Sequence, residues 1–248
     1  MKTLFILFDS LNRSALSCYG GQISTPHFDR LASRSAVFEN HFAGSLPCMP
    51  ARRDMQTGRL NFLHRSWGPL EPFDDSFASQ MKSAGVYNHL VSDHYHYFED
   101  GGATYHTRYS TWDFIRGQES DPYIAMVEPP LERFKQSYHP LQFEETRDGH
   151  RLQGMINRSA VKDEADFPVV KCIDSALRFL HQNHRAENWF LQMETFDPHE
   201  PFTAPPGWQI RDTGYSGPVL DWPRYKQVEE SEAEIAELRE NYAALVRF

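Results

Sequence analysis

The sequence of 248 residues lacks several features that would assign it to a specialised class of protein. It contains no apolar run near the roughly 18 residues of a membrane-spanning helix, so we expect no membrane association. It has only three cysteines, without paired spacing, which argues against a disulfide framework and a CxxC zinc site. Positive charge is also scarce, with 25 Lys and Arg against 34 Asp and Glu. Nucleic-acid binding, which needs clustered positive charge, is therefore not expected.

The N-terminus carries a short apolar run, residues 4–8, that ends at Asp9. The run is too short for the apolar core of a signal peptide, and no small-residue cleavage site follows it. We therefore interpret residues 3–8 as a buried parallel strand, and we expect a cytoplasmic protein.

Alternating strand and helix patterns predict an α/β fold with a mostly parallel central sheet flanked by helices. Residues 99–166 are poorly periodic and predict long loops with short elements. The acidic run 229–240 predicts the solvated face of a helix. The strands are predicted at 3–8, 86–91 and 189–193, and the helices after Thr25, over 51–57, after Asp74 and Asp75, from Pro168 and at the C-terminus.

Polar clusters follow each of the three predicted strands. Because ligands of open α/β sheets bind beyond the carboxyl ends of the strands, the convergence of the clusters on one edge indicates a candidate site. The clusters are Asp9-Ser10, Asp93-His94-Tyr95-His96 and Asp197-Pro198-His199.

The most specific segment is Cys48-Met49-Pro50-Ala51-Arg52, in which Cys48 precedes the start of the short helix predicted over 51–57. Backbone N–H groups and the helix dipole favour an anion at such a helix start. Arg52 lies one turn further on and can pair bidentately with a sulfate or phosphate group. Taken alone, Cys48 could be a nucleophilic thiol or a buried core cysteine.

The spacing Cys48-x-Pro50-x-Arg52, closed by Thr57-Gly58, resembles the signature of the type I sulfatases, within the alkaline phosphatase superfamily. The resemblance to that family extends from Lys2 to about Phe202. Besides the signature, the similar segments are residues 8–11 and 16–20 (the first metal-binding strand), 25–32 (the TPNLDRLA helix) and 196–202 (the PHxPF substrate loop).

The resemblance implies a modified residue and a metal. In this family a separate maturation enzyme oxidises the signature cysteine to Cα-formylglycine, which implies this fate for Cys48. The hydrated aldehyde is then the nucleophile on sulfur. A divalent metal, usually calcium, would bind the modified Cys48 and Asp9, with Ser10 where many relatives have a second Asp.

The resemblance also implies roles for further residues. Arg52 would hold the formylglycine diolate, and His199 would contact the sulfate or its bridging oxygen. His94 would take the role of the family's Lys-x-His histidine, although the register leaves His96 open for that role. His96, Asp197 and His199 are the candidate substrate-binding residues.

One departure concerns the later part of the metal site. The family completes that site with an Asp-His/Asn-Gly segment and a nearby lysine, and neither follows His199. We therefore interpret residues 1–248 as an N-terminal portion of a sulfatase catalytic domain, truncated at the C-terminus. We expect an exposed apolar face and weak or no activity from this chain alone.

The main functional hypothesis is hydrolysis of a sulfate ester on a small molecule or a carbohydrate. The alternatives are a phosphonate or phosphate monoester hydrolase of the same superfamily, an inactive partial domain, and an enzyme that uses the Cys48 thiol. The aromatic stretch between Tyr95 and Trp112 predicts either a sugar-binding pocket or core packing. Cys18 and Cys172 are predicted core residues.

Overall fold

The computed structural model describes residues 1–63, 65–143 and 150–248. They divide into two compact units, of which the first contains the sheet. Unit 1 comprises Met1–Asp9, Phe38–Arg116 and Pro168–Thr195, and unit 2 comprises Ser10–Val37, Gly117–Phe167 and Phe196–Phe248. Within the described part of the chain, no helix is both long enough and apolar enough to cross a membrane.

The sheet of unit 1 is entirely parallel, with the strand order β1-β4-β2-β3. This confirms the predicted α/β fold with its parallel central sheet. The strands are β1 (Lys2–Phe8), β2 (Tyr87–Ser92), β3 (Thr111–Phe114) and β4 (Trp189–Thr195). The helices of the described residues are α1 (Pro26–Ala32), α2 (Cys48–Thr57), α3 (Phe77–Ser83), α4 (Leu131–Ser137), α5 (His150–Arg158), α6 (Pro168–Gln182) and α7 (Glu232–Arg247).

Helices cover both faces of the sheet in unit 1. Alternate side chains of a strand point to opposite faces, so neighbouring residues join different clusters. Leu90 and Phe190 pack with residues of α2 and α3, whereas Val91 and Leu191 pack with α6. Phe190, Gln192 and Glu194 of β4 therefore share the face that α2 covers.

The first strand differs from its prediction. The expectation of a fully buried strand was wrong, because β1 is an edge strand that pairs with β4 on one side. Its side chains alternate between half-buried and exposed, and Leu4 and Ile6 are 44% and 43% exposed.

Two helix starts also differ from the sequence interpretation. Thr25 occupies the N-cap of α1, but its hydroxyl accepts from the Ser17 amide at 3.0 Å instead of capping the helix. Ser76, and not Asp74 or Asp75, caps α3 by accepting from the Ser79 amide. Asp74 instead pairs with a buried arginine, since Arg53 donates to both of its carboxylate oxygens, and it also accepts from the Glu71 amide.

The poorly periodic middle of the chain consists of loops with short elements, as predicted. In the described part of residues 99–166 these elements are β3, α4, α5 and short 3₁₀ turns at His106–Arg108, Pro140–Phe143 and Glu164–Asp166. Residues 144–149 of that stretch lie outside the described residues. β3 has only four residues, too few to show a period in the sequence.

Unit 2 has a small apolar cluster around Phe134, Met155 and Ile156. The acidic helix α7 starts with a capping box between Ser231 and Glu234. The prediction of a wholly solvated acidic face was wrong at Glu240, which is 5% exposed and accepts from Arg247 at 2.8 Å. Of the two predicted core cysteines, Cys172 in unit 1 is buried, whereas Cys18 in unit 2 is only half-buried.

Candidate active site

Cys48 begins α2, three residues earlier than the sequence pattern predicted. No side chain caps this helix at its N-cap residue, Pro47. Pro50 fits in the first turn, where its missing N–H is not needed. Gly58 ends the helix in the left-handed conformation at φ 67°. The half-buried Cys48 therefore sits at a helix start whose partial positive charge favours an anion.

Arg52 follows Cys48 by one helical turn, which puts both side chains on the same face of α2. Its guanidinium is held by two carboxylates. The Nη2 group donates to Asp9 Oδ2 at 2.7 Å and lies 2.8 Å from Glu194 Oε1. The Nε group donates to the same Glu194 oxygen at 2.9 Å. The side chain is thus fixed in position between the ends of β1 and β4.

The pKa of Arg52 reflects this environment. Burial by itself would lower the pKa, but the charges of Glu194 and Asp9 outweigh it and raise the pKa above its usual range. Arg52 therefore stays a cation. Removing one partner of this buried ion group would leave an uncompensated charge. Because a charge taken out of water is costly, the folded state would be destabilised.

A compact group of candidate ligand atoms comes from three elements of unit 1. Asp9 follows β1, Cys48 starts α2 and His94 follows β2. One potential ligand atom from each residue lies within 4.8 Å of the others. His94 Nε2 lies 3.5 Å from Asp9 Oδ2. Burial lowers the pKa of His94, which makes the neutral imidazole the form present at neutral pH.

These donors fit a divalent cation. A carboxylate oxygen and a neutral imidazole nitrogen are both common metal ligands. Calcium prefers oxygen, whereas a thiolate is a soft ligand that suits other metals. A calcium ion would therefore depend on Asp9 and on the replacement of the Cys48 sulfur by oxygen.

Glu194 is a buried residue that the sequence reasoning missed. It lies on the α2 side of β4, next to the carboxyl end of the strand, and is 0% exposed. Its Oε2 atom accepts from the Tyr97 hydroxyl at 2.7 Å and from Gln192 Nε2 at 3.1 Å. The available signal was the alternation of Gln192 and Glu194 within an otherwise apolar strand, since a buried carboxylate requires a cationic partner.

The aromatic stretch supplies support for this network and packs in the core. Tyr97, Tyr105 and Tyr109 are at most 1% exposed and belong to the cluster beneath α2. Tyr109 donates to Gln192 and accepts from Gln56 of α2 at 2.8 Å. For these three tyrosines, core packing is the alternative that the structure bears out.

The remaining candidates of the first two clusters have different surroundings. His96 is half-buried; its Nδ1 lies 2.6 Å from Glu99 Oε1 and its ring contacts Trp67. Ser10 belongs to unit 2, where it is exposed and has a positive φ of 55°. Its carbonyl oxygen accepts from the Tyr242 hydroxyl at 3.0 Å. Both stay predicted site residues.

Asp197 and His199 lie in unit 2 and have different partners. Asp197 accepts from Gln118 Nε2 at 2.6 Å, and burial raises its pKa to about 7. His199 Nδ1 lies 3.0 Å from Glu200 Oε2. Burial opposes the charge on His199, but Glu200, and less strongly Glu119, raise its pKa to about 9. His199 is therefore protonated at neutral pH.

Comparisons with known proteins identify sulfatases among the relatives of this chain. Iduronate 2-sulfatase of Mus musculus is 27% identical over 214 residues, which are 84% of this chain and 37% of the mouse protein. N-acetylgalactosamine-6-O-sulfatase of Bacteroides thetaiotaomicron is 43% identical over 66 residues, 26% of this chain and 13% of that protein. The chain thus spans well under half the length of these relatives.

Solved structures share the fold. The phosphonate monoester hydrolase of Silicibacter pomeroyi superposes with a TM-score of 0.66 at 21% identity, covering 99% of this chain and 56% of that chain. The family model described as Sulfatase matches residues 2–248, nearly the whole sequence. With the signature residues Cys48 and Arg52 side by side at the start of α2, this chain belongs to the sulfatase family.

Proposed function

We propose that this protein contributes Cys48, Arg52 and Asp9 to an active centre that hydrolyses a sulfate ester. The observation that carries the proposal is the contact of 2.7 Å between Arg52 and Asp9, one helical turn from Cys48 at an uncapped helix start. A fixed cation and the positive end of the α2 dipole favour an oxyanion there, and the carboxylate favours a metal cation. Membership of the sulfatase family supports the reaction class.

We also propose that Cys48 is oxidised to formylglycine by a separate maturation enzyme, as its signature position implies. The hydrated aldehyde supplies one hydroxyl as a nucleophile and a second whose deprotonation expels sulfate, and an unmodified thiol lacks this second group. A divalent cation held by Asp9 and residue 48 would offset the charge of the sulfate.

The other residues have roles that follow from their protonation. Arg52 offsets negative charge next to residue 48 as a permanent cation. His199, protonated at neutral pH, is proposed to contact the sulfate or to give a proton to its bridging oxygen. His94, in its neutral form, can accept a proton or bind the cation.

We propose a carbohydrate sulfate as the substrate class. The names of two relatives, iduronate 2-sulfatase and N-acetylgalactosamine-6-O-sulfatase, support it. A phosphonate monoester is the second candidate, because a hydrolase of that kind has the same fold and the Cys-x-Pro-x-Arg motif is compatible with both reactions.

The test is hydrolysis by the full chain produced together with a formylglycine-generating enzyme. We expect slow release of 4-nitrophenol from 4-nitrophenyl sulfate, and slower release from a phenylphosphonate ester. The Cys48→Ala variant is the control and should release none. Equal rates for the variant and the parent would refute the proposal, and a faster phosphonate reaction would favour the second candidate.

A further inference from the structure

We propose that Glu194 is a positioning residue that fixes Arg52 so that its Nη1 group faces the anion bound at residue 48. The inference rests on the proposed function, since the anion is the sulfate group of that reaction. It assigns a role to a buried carboxylate that the sulfatase signature does not include.

The hydrogen bonds of the Arg52 guanidinium show which of its nitrogen atoms are available to a ligand. Of its three nitrogen atoms, Nε and Nη2 are committed to Glu194 Oε1, and Nη2 also to Asp9. Among the described residues, no protein group accepts from Nη1. The two N–H groups of Nη1 are therefore the donors that Arg52 retains for a ligand.

Glu194 is itself held rigidly by its strand and its hydrogen bonds. It lies within a central strand whose seven residues are all buried. Tyr97 and Gln192 both donate to Oε2, which leaves Oε1 for Arg52. Burial and the neighbouring Glu194 raise the pKa of Tyr97, so its hydroxyl keeps the proton that it donates. Each oxygen of the carboxylate thus has its own partners, and its orientation is fixed.

The negative charge of Glu194 acts against the binding of an anion. A carboxylate repels sulfate, and Asp9 and Glu194 together outnumber the single cation Arg52 in this group. Glu194 therefore reduces the attraction for an anion. Its benefit must come through the geometry of Arg52, because a displacement of about 1 Å can cost on the order of 10²-fold in rate.

Two substitutions of Glu194 distinguish positioning from simple electrostatics. Glu194→Gln removes the charge but keeps nearly the same shape. If only charge mattered, the variant would bind inorganic sulfate more tightly and react at least as fast. If positioning matters, kcat for 4-nitrophenyl sulfate falls by roughly 10–100-fold while the affinity for inorganic sulfate is unchanged or higher.

Glu194→Asp is the complementary variant, because it keeps the charge and shortens the reach by one methylene group. Positioning predicts a loss of kcat here as well, whereas the electrostatic explanation predicts the parent rate. The matched control is Glu187→Gln in the same unit, whose carboxylate is 73% exposed and should not affect kcat. Melting temperatures identify any variant that fails to fold.

A spectroscopic measurement gives a result that does not depend on turnover. The Arg52 Nε–H signal in ¹H–¹⁵N spectra, assigned by its loss in Arg52→Lys, should be shifted downfield and exchange slowly in the parent chain. It should move upfield in Glu194→Gln and shift less in Tyr97→Phe. An unchanged signal in Glu194→Gln, or parent kcat in both Glu194 variants, would overturn the inference. Equal hydrolysis by the parent and Cys48→Ala would instead refute the proposed function.

Discussion

Buried carboxyl groups lie near Cys48 in unit 1 and near His199 in unit 2, and they differ in the partners that they contact. Glu194 and Asp9 share a permanent cation, Arg52, which fixes them as part of an ion group. Asp197 accepts from a neutral amide, Gln118, and burial outweighs both this hydrogen bond and the nearby charge of His199, so that its pKa rises to about 7. Burial alone therefore does not decide the charge of a carboxyl group in this protein; the partner does.

The largest expected effect comes from removing the cation of unit 1. Arg52→Met leaves Asp9 and Glu194 buried without their partner, so the free energy of unfolding should fall by about 3–5 kcal/mol. Urea denaturation followed by circular dichroism measures this. The control is Arg178→Met, whose side chain is 60% exposed and pairs with Asp113, and which should change stability by about 1 kcal/mol at most. Equal losses would contradict the account.

The second effect concerns pH and unit 2. The folded pKa of Asp197, about 7, exceeds the ordinary aspartate value of 3.8, so its contribution to stability is full below pH 3.8 and is lost as pH rises through 7. This amounts to roughly 4 kcal/mol, at about 1.4 kcal/mol per pKa unit. Asp197→Asn should therefore flatten the decline of the unfolding free energy between pH 4 and about 7.

His199 provides the internal control for that experiment. Its pKa rises from 6.5 to about 9, so its contribution is full below pH 6.5 and is lost as pH rises through 9. Asp197→Asn should leave this later decline in place, and His199→Gln should remove it. If Asp197→Asn has the same pH dependence of stability as the parent chain, the carboxyl group is ionised in the native state and the contrast between the units disappears.

A smaller effect is expected from the phenol that supports Glu194. Tyr97→Phe removes one hydrogen bond to a buried carboxylate and should cost about 1.5–3 kcal/mol. Tyr87→Phe, which loses an exposed hydroxyl contact with Thr111, should cost about 0.5 kcal/mol or less. Thermal unfolding of the two variants side by side measures the difference, and equal costs would show that Glu194 does not depend on Tyr97.

The smallest effect sharpens the role of the amide in unit 2. The Gln118 hydrogen bond favours the ionised form of Asp197 and lowers its pKa against the effect of burial. Gln118→Met should therefore raise the pKa of Asp197 above about 7. Titration of the Asp197 carboxyl carbon by NMR measures this, and a lower pKa in the variant would show that burial is not the main cause of the shift.

The sequence predicted those features that depend on local patterns. Apolar runs indicated β1, β2 and β4, and the left-handed glycine Gly58 ends α2 where the motif placed the end of the helix. The adjacency of Cys48 and Arg52 followed from their spacing of four residues. These predictions succeed because helix periodicity and glycine conformation are properties of the chain itself.

The features that the sequence did not predict depend on tertiary pairing. The sequence placed Glu194 just after a strand predicted over 189–193. In the structure β4 extends to Thr195, and α2 covers the face of the sheet on which Glu194 lies. The exposure of β1 follows from its edge position, which no local pattern encodes. Asp74 resembled a helix cap but pairs with Arg53, a residue 21 positions away. For Glu194 and Asp74 a distant partner overrode the local preference, and for β1 the position in the sheet did.

The most direct test of the central claim is the mass of the peptide that contains Cys48. The full chain is produced with a formylglycine-generating enzyme, digested, and analysed by mass spectrometry next to a Cys18 peptide as the unmodified control. We predict an aldehyde at residue 48, trapped by a hydrazide reagent, and an intact thiol at residue 18. An unmodified thiol at residue 48, under conditions in which the enzyme converts a known sulfatase peptide, would contradict the assignment of Cys48 as the nucleophile precursor.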